Sequence, residues 1–380
     1  MKPSILAFYS KYIWPIHRIM AKRHLTPRCK RCSISSRLSP LDKEGICAIC
    51  QTQRPDQKAL ISNEEQQTLE KQLNETFIGA VGTGKFKYDA LVFFSGGKDS
   101  SFLLHKLKTD YPDLRLLAVT IDNGFMSDIA HENVKQAIAI LGVDHMIINP
   151  DQGMYEKLFR YTFSHLSPKG SVYSMDILDG ELRTDIGRHL AVRLGIPLVV
   201  VGLSRGQVVS SMGSVRFDVD RNVELAPREK VTTYTIDELP LNAEERKFWW
   251  SGTNTYAEED IPRTILPLAV WDFDEEYLKQ KIVELGLVSN KNTSPVVTNH
   301  TLIPLMGVLD MAKLGYSSWE YEFTPMIRAG KADPVYWRNL FEMIEYAAKT
   351  GAFIGGSVDP MLKRLDLSRA DVGLPTADKN

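Results

Sequence analysis

The chain is 380 residues long, with 43% hydrophobic and 24% charged residues, the composition of a globular protein and not of a disordered one. Its formal net charge of −1 supplies no global attraction to nucleic acid, which argues against a tRNA substrate, and no apolar run reaches the length of a bilayer span. At this length the chain accommodates two domains, or one large domain with appendages.

Residues 1–28 form a basic and aromatic segment. Its first 24 residues hold five Lys/Arg and no acid, and Ile5, Phe8, Tyr9, Tyr12, Ile13 and Ile16 recur at helical spacing, with Pro15 expected to kink or divide the run. A secretory signal needs an uninterrupted apolar core and a small-residue cleavage site, and neither is present. The expectation is a helix packed on the protein body or on a partner. The alternative is peripheral contact with an anionic membrane surface.

All four cysteines follow, as Cys29-Lys-Arg-Cys32 and Cys47-Ala-Ile-Cys50. Clustering within residues 29–50 suits a reduced, cytoplasmic setting and a metal site better than a disulfide framework. Each C-x2-C unit places two thiolates on one turn, and two such turns give tetrahedral sulfur coordination. The intervening stretch is too short and polar to build a core, so a metal has to hold it together. Zinc is the default ion; an iron or iron–sulfur site uses the same ligand type. A closed four-sulfur site has no open position, so its expected role is structural. Residues 51–85 read as a helical connector, with a helix starting at Ser62-Asn63-Glu64-Glu65 and running to about Phe77.

From Tyr88 the pattern becomes strand and helix in alternation. Leu91-Val92-Phe93-Phe94 is a short apolar run suited to a buried strand. Ser95-Gly96-Gly97-Lys98-Asp99-Ser100-Ser101 follows directly, and Phe102, Leu103, Leu104 and Leu107 then take up a helical spacing. A strand, a glycine-rich turn and a helix N-terminus make an anion site, because the backbone approaches a phosphate closely and free N–H groups point at it. Lys98 adds a positive charge, and Ser95 and Ser100 add hydroxyls. Further strands are expected at Leu114–Asp122, Val143–Asn149, Ile196–Val201 and Ile261–Leu268, with helices at Ile129–Leu141 and around Ile186–Leu194. Near-continuous apolar strands separated by helices predict a doubly wound, parallel five-stranded α/β sheet over residues 86–275, with ligands beyond the strands' carboxyl ends.

Residues 208–260 are the least periodic part, a candidate substrate-facing insertion in which Thr232–Trp250 reads as a helix-like run. Arg216, Arg221 and Arg228 there are candidates to meet an acidic substrate, with solvated arginines the commoner explanation. Asp272, Asp274, Glu275 and Glu276 crowd the first turn of a later helix, where the dipole favours acids. Ser294, Thr298, Asn299 and His300 form a polar cluster, with His300 expected to cap or pack. Residues 276–380 are expected to be a helical region.

Ser95 to Ser100 resembles the SGGKDS signature of the PP-loop ATP pyrophosphatase superfamily. The resemblance implies a fold of the adenine nucleotide alpha hydrolase type and cleavage of ATP between its α and β phosphates. It further implies Mg2+, catalytic roles for Lys98, Asp99 and Ser95, and nucleotide binding by Ser95, Gly96, Gly97, Asp99, Ser100 and Ser101. Asp122 and Asn123 would approach the adenosine, and Gly202 with Ser204 would line the nucleotide. Asp176–His189, with Asp179, Glu181, Arg183, Asp185 and Arg188, corresponds to a stretch where relatives carry substrate-side groups. The pair GICAIC and YDALVFFSGGKDSS is similar to the N-acetyl sugar amidotransferase family of surface-polysaccharide (lipopolysaccharide) biosynthesis. That likeness implies nitrogen transfer to a nucleotide-sugar or related small-molecule substrate, with ammonia from a separate glutaminase. The alternatives are a PP-loop sulfurtransferase acting on tRNA or a small molecule, and a non-catalytic nucleotide-binding scaffold. Sulfurtransferase relatives add cysteines in the core domain, and none is present here.

Overall fold

A computed structural model describes residues 8–52, 61–271, 275–288, 300–330 and 332–376. Ile5, Asp272, Asp274 and the Ser294 to Asn299 cluster lie outside them, as do the side chains of Glu275 and Glu276. The chain divides into two compact units that are each discontinuous in sequence. One takes the described residues of Met1–Gln57, Tyr155–Leu178 and Thr301–Asn380, and the other those of Lys58–Met154 and Asp179–His300.

Among the described residues the second unit has seven strands: β1 (Ala90–Phe93), β2 (Leu116–Ile121), β3 (Asp144–Ile148), β4 (Leu198–Val200), β5 (Lys230–Val231), β6 (Tyr234–Thr235) and β7 (Arg263–Ile265). Five of them form the parallel sheet expected from the sequence, in the order β3-β2-β1-β4-β7. Successive side chains of β1 point to opposite faces. Ala90, Val92 and the following Phe94 join one core with Leu73 and Phe77 of the Asn63–Ala80 helix, Phe102 to Leu107 of the Lys98–Asp110 helix, and Val134 and Ala137 of the Asp128–Leu141 helix. On the other face Phe93 meets the Ile177–Arg193 helix at Gly187, where a Cβ would lie 2.2 Å from the ring. Both faces of β1 are thus covered, which explains a strand that is apolar throughout.

The chain leaves β1 toward β2 and β3 on one side and returns to β4 on the other. The switch point therefore lies between β1 and β4, and the crevice beyond their carboxyl ends is the place a ligand is expected.

Local chemistry sets the helix ends. Ser62 and Ser127 accept the Glu65 and Ala130 amides at 3.1 Å each, so the connector helix starts where expected and runs on to Ala80. Gly142 and Gly195 close their helices in the left-handed conformation. The fifth strand of the sheet is shorter than the sequence predicts. Pro267 has no amide to continue the ladder and opens a short helix, Pro267–Val270. The Thr232–Trp250 run is not one helix: it contains β6 of the β5–β6 hairpin, which turns through Thr232 at φ +56°, and a one-turn helix at Ala243–Arg246. Thr235 and Asn242 each cap a turn that starts locally, so the run breaks into capped pieces on either side of Pro240.

The first unit is helical, with Ile303–Lys313, Glu320–Arg328, Pro334–Thr350 and Asp359–Arg364 as its later helices. The four-cysteine turns are fastened to them by a buried network. Arg28 pairs with Glu320 at 2.8 Å, lies 3.8 Å from Glu345 and donates to Ser33 O at 3.2 Å. Glu320 also accepts the Ser35 amide at 2.6 Å. A charge this deep is tolerated only with such partners.

Candidate functional site

The loop after β1 is held from beneath. Gly96 sits at φ +71°, and a Cβ there would lie 2.6 Å from Ala130 O and 2.8 Å from Val134 Cγ2. Only glycine lets the loop lie this close to the Asp128–Leu141 helix. Asn133 from that helix donates its amide to Gly96 O at 3.1 Å, a contact the sequence reading missed. The only signal for it was a polar residue on the inner side of an otherwise apolar helix face.

Inside the loop, Ser95 Oγ lies 3.1 Å from Ser100 Oγ and accepts the Gly97 amide at 3.4 Å, while Ser100 donates to Gly97 O at 3.2 Å. Gly97 is the N-cap of the Lys98–Asp110 helix and offers no capping side chain. In contrast to the serine-capped helices, its N-cap residue brings no side-chain acceptor, and the helix dipole leaves the first turn positive. Lys98 and Asp99 are partly exposed and pair with each other at 2.8 Å. Ser101 is wholly buried and closes the first helical turn through its amide on Gly97 O at 3.0 Å. At β4, Gly202 comes close to the same helix: a Cβ there would lie 3.3 Å from Leu103 and 3.9 Å from Ser100 Cα. Ser204 caps the Arg205–Met212 helix in a reciprocal box with Gln207.

At the end of β2 the two acidic-amide positions diverge. Asp122 accepts the Gly124 amide at 2.8 Å and the Asn149 amide at 3.2 Å, with His131 at 3.4 Å. Asn123 is fully buried. Its Nδ2 lies 3.0 Å from Asp179 Oδ1 and 3.1 Å from His300 Nε2, and its Oδ1 accepts the Phe125 amide at 2.9 Å. An amide nitrogen only donates, so His300 Nε2 is the acceptor and the ring proton sits on Nδ1. The His300 ring stacks on Phe125 at 5.8 Å. Burial pushes the Asp179 carboxyl up, and the Arg183 guanidinium at 2.5 Å and Asn123 pull it back. Sequence reading placed Asn123, Asp179 and His300 in separate stretches; their meeting depends on strand order.

The candidate arginines are engaged with acids of their own unit. Arg228 spans Asp185 (2.5 Å and 2.8 Å) and Glu181 (2.6 Å), which raises its affinity for a proton against the opposing effect of burial. Arg188 lies 4.2 Å over the Trp250 ring and 3.8 Å from Asp185. Arg221 pairs with Glu224 at 3.1 Å and Arg216 with Asp218 at 3.4 Å.

In the other unit, the sulfurs of Cys29, Cys32, Cys47 and Cys50 lie within 4.8 Å of one another, all buried. Cys32 and Cys47 are 3.7 Å apart, against about 3.8 Å for the edge of a zinc–sulfur tetrahedron. Ser33 at φ +63° and Gly45 at φ +80° turn the two knuckles, and the Cys47 and Cys50 amides donate to Cys29 and Cys47 sulfurs at 3.3 and 3.4 Å. Burial pushes the Cys32 thiol up to about 11. Burial acts likewise on Cys29, but amide donors from Cys47, Cys32 and Arg31 outweigh it and bring that thiol down to about 7. Four buried sulfurs this close cannot all ionise without a cation, so the donor set fits a single thiophilic ion.

No family model matches the sequence, and no curated protein does. Solved structures do show likeness. An NMN synthetase from Francisella tularensis is 13% identical, aligned over 84% of this chain and 100% of its own, at a TM-score of 0.36. A tRNA thiolase from Methanococcus maripaludis, with its 4Fe-4S cluster, is 13% identical over 93% of this chain and 100% of its own, at 0.35. For an NH3-dependent NAD synthetase from Campylobacter jejuni the figures are 14%, 40% of this chain and 0.29, and the match spans 62% of that enzyme's length. Likenesses this distant assign no activity to the chain. Among the described residues, no helix is long and apolar enough to cross a membrane.

Proposed function

We propose that the chain is an ATP pyrophosphatase-type amidotransferase that adenylates a substrate oxygen and installs nitrogen from ammonia. The observation that carries this reading is the Ser95–Ser101 turn. It stands at the carboxyl end of β1, beside the β1/β4 switch point, and runs into the N-terminus of a helix whose N-cap, Gly97, has no side chain to cover it.

In this reading the turn cradles the β and γ phosphates of ATP. Lys98 exchanges its Asp99 partner for the phosphates, and Asp99 would help hold Mg2+ or fix the loop. The substrate oxygen forms a bond to the α-phosphorus as the bond to the bridging β-phosphate oxygen breaks. Lys98 and the first-turn amides stabilise the charge that develops on departing pyrophosphate. Ammonia then bonds to the activated carbon, loses a proton and displaces AMP.

Nitrogen is preferred to sulfur because the chain's four thiols are all committed to the buried cysteine cluster. A sulfur-transfer route needs a thiolate or an open cluster position near the adenylated carbon. The cluster is read as a structural zinc site, and the acceptor as a sugar-type small molecule. The test supplies ATP, Mg2+ and a low-molecular-mass cell extract as acceptor source, with ammonium or sulfide as the nucleophile. AMP formation stimulated by ammonium and not by sulfide is expected. Stimulation by sulfide alone would replace this reading with thiolation.

A further inference from the structure

The helical segment Phe8–Arg23 has two apolar faces, and the fold uses one of them. On the used face Trp14 and Ala21 are buried and pack with Met343 and Tyr346 of the Pro334–Thr350 helix. Trp14 Nε1 donates to Glu342 at 3.1 Å, Arg18 pairs with the same carboxylate at 2.6 Å, and Asn339 donates to Ser10 O at 3.0 Å. The segment is therefore firmly seated. Its outward face nevertheless presents Phe8 (56% exposed), Tyr12 (56%), Ile16 (69%), Ile19 (77%) and Met20 (73%). These positions recur every three or four residues and make one continuous stripe. Packing against the protein body accounts for Trp14 and Ala21 and leaves the stripe unexplained.

The charged side chains of the segment itself are all basic. Lys11, Lys22 and Arg23 are exposed beside it or at its end. Residues 1–41 contain nine Lys/Arg and no acid, which leaves 37 basic against 47 acidic residues in the rest of the chain. A second copy docked stripe to stripe would bring like charges together. An apolar strip edged by cations, on a helix already anchored by its opposite side, has the chemistry of the boundary between lipid headgroups and acyl chains.

We propose that the outward face of Phe8–Arg23 docks the protein on an anionic phospholipid surface. Phe8, Tyr12, Ile16, Ile19 and Met20 enter the acyl boundary, and Lys11, Lys22 and Arg23 meet the headgroups. The assignment is independent of the reaction proposed for the sheet unit. One short helical face gives reversible, salt-sensitive attachment.

The test is co-sedimentation of the full chain with phosphatidylcholine vesicles, with and without phosphatidylglycerol. The bound fraction is expected to rise about tenfold or more with the anionic lipid and to fall at high salt. The triple variant Ile16→Gln, Ile19→Gln, Met20→Gln should lose that binding with an unchanged circular dichroism spectrum. The charge variant Lys11→Glu, Lys22→Glu, which leaves every apolar side chain in place, should lose it as well. Wild-type protein that ignores anionic vesicles would overturn the proposal, as would variants that bind like the wild type. A wild-type dimer in light scattering that the triple variant converts to monomer would also overturn it, assigning the face to a second copy.

Discussion

Replacing Gly96 by alanine probes the loop on which the functional reading depends. At φ +71° a residue with a Cβ is disfavoured by about 1–2 kcal/mol. The added methyl would also lie 2.6 Å from Ala130 O, a backbone atom inside the Asp128–Leu141 helix that has no flexible end to move. Overpacking of that kind costs about 1–3 kcal/mol, so the whole effect is about 2–5 kcal/mol, released by lifting the loop off the helix. Lifting also breaks the Asn133 to Gly96 O hydrogen bond of 3.1 Å. A displacement of about 1 Å at a phosphate cradle costs about a hundredfold in reaction rate, and it weakens nucleotide binding with it. Calorimetric titration with Mg2+ and a non-hydrolysable ATP analogue reads this directly, and urea unfolding reads the stability. A Gly96→Ala protein that binds nucleotide as tightly as the wild type, with unfolding shifted by less than about 0.5 kcal/mol, would refute the close-packed loop.

Two further predictions concern parts away from the loop. Purified protein should carry one thiophilic metal ion per chain by elemental analysis. Cys47→Ser should lose it and open the knuckle to protease; metal-free wild-type protein that keeps its protease resistance would contradict the site. Asp89 is buried and accepts the amides of Gly84 (2.9 Å) and Arg115 (3.1 Å) and the Arg115 guanidinium (2.9 Å). Burial alone would push its carboxyl up, but these donors outweigh it and hold it well below the usual range. A depressed folded value gives stability that is complete above the unfolded carboxyl value of about 3.9 and is lost as pH falls toward the folded value. The urea midpoint should therefore drop below about pH 4, and Asp89→Asn should flatten that acid limb while lowering stability at neutral pH by about 1–3 kcal/mol. An unchanged acid limb in the variant would show that other carboxylates control it.

What the sequence revealed and what it hid follow from the range of the interactions. The parallel strands, the serine and glycine helix ends, the glycine-rich turn after β1 and the cysteine pairs are local patterns, and each is present close to its expected position. The β5–β6 hairpin escaped because two-residue strands carry no alternation, and its turn uses a threonine in a conformation glycine usually supplies. Gly187 gave no sign that it must admit the Phe93 ring, since that contact depends on which helix crosses the sheet. Arg28 and Glu320 are almost three hundred residues apart, and no spacing rule connects them. The same holds for Asn123, Asp179 and His300. Their chemistry was visible residue by residue, but their meeting was not.

The central claim is that the Ser95–Ser101 loop directs ATP cleavage between the α and β phosphates. Product analysis with ATP labelled at the α-phosphate, supplied with Mg2+, ammonium and the acceptor extract, tests it most directly. The account predicts labelled AMP and an equal amount of pyrophosphate from the wild type, and a loss of about a hundredfold or more in a folded Lys98→Ala protein. Labelled ADP as the product, or a Lys98→Ala protein that forms AMP at the wild-type rate, would contradict it.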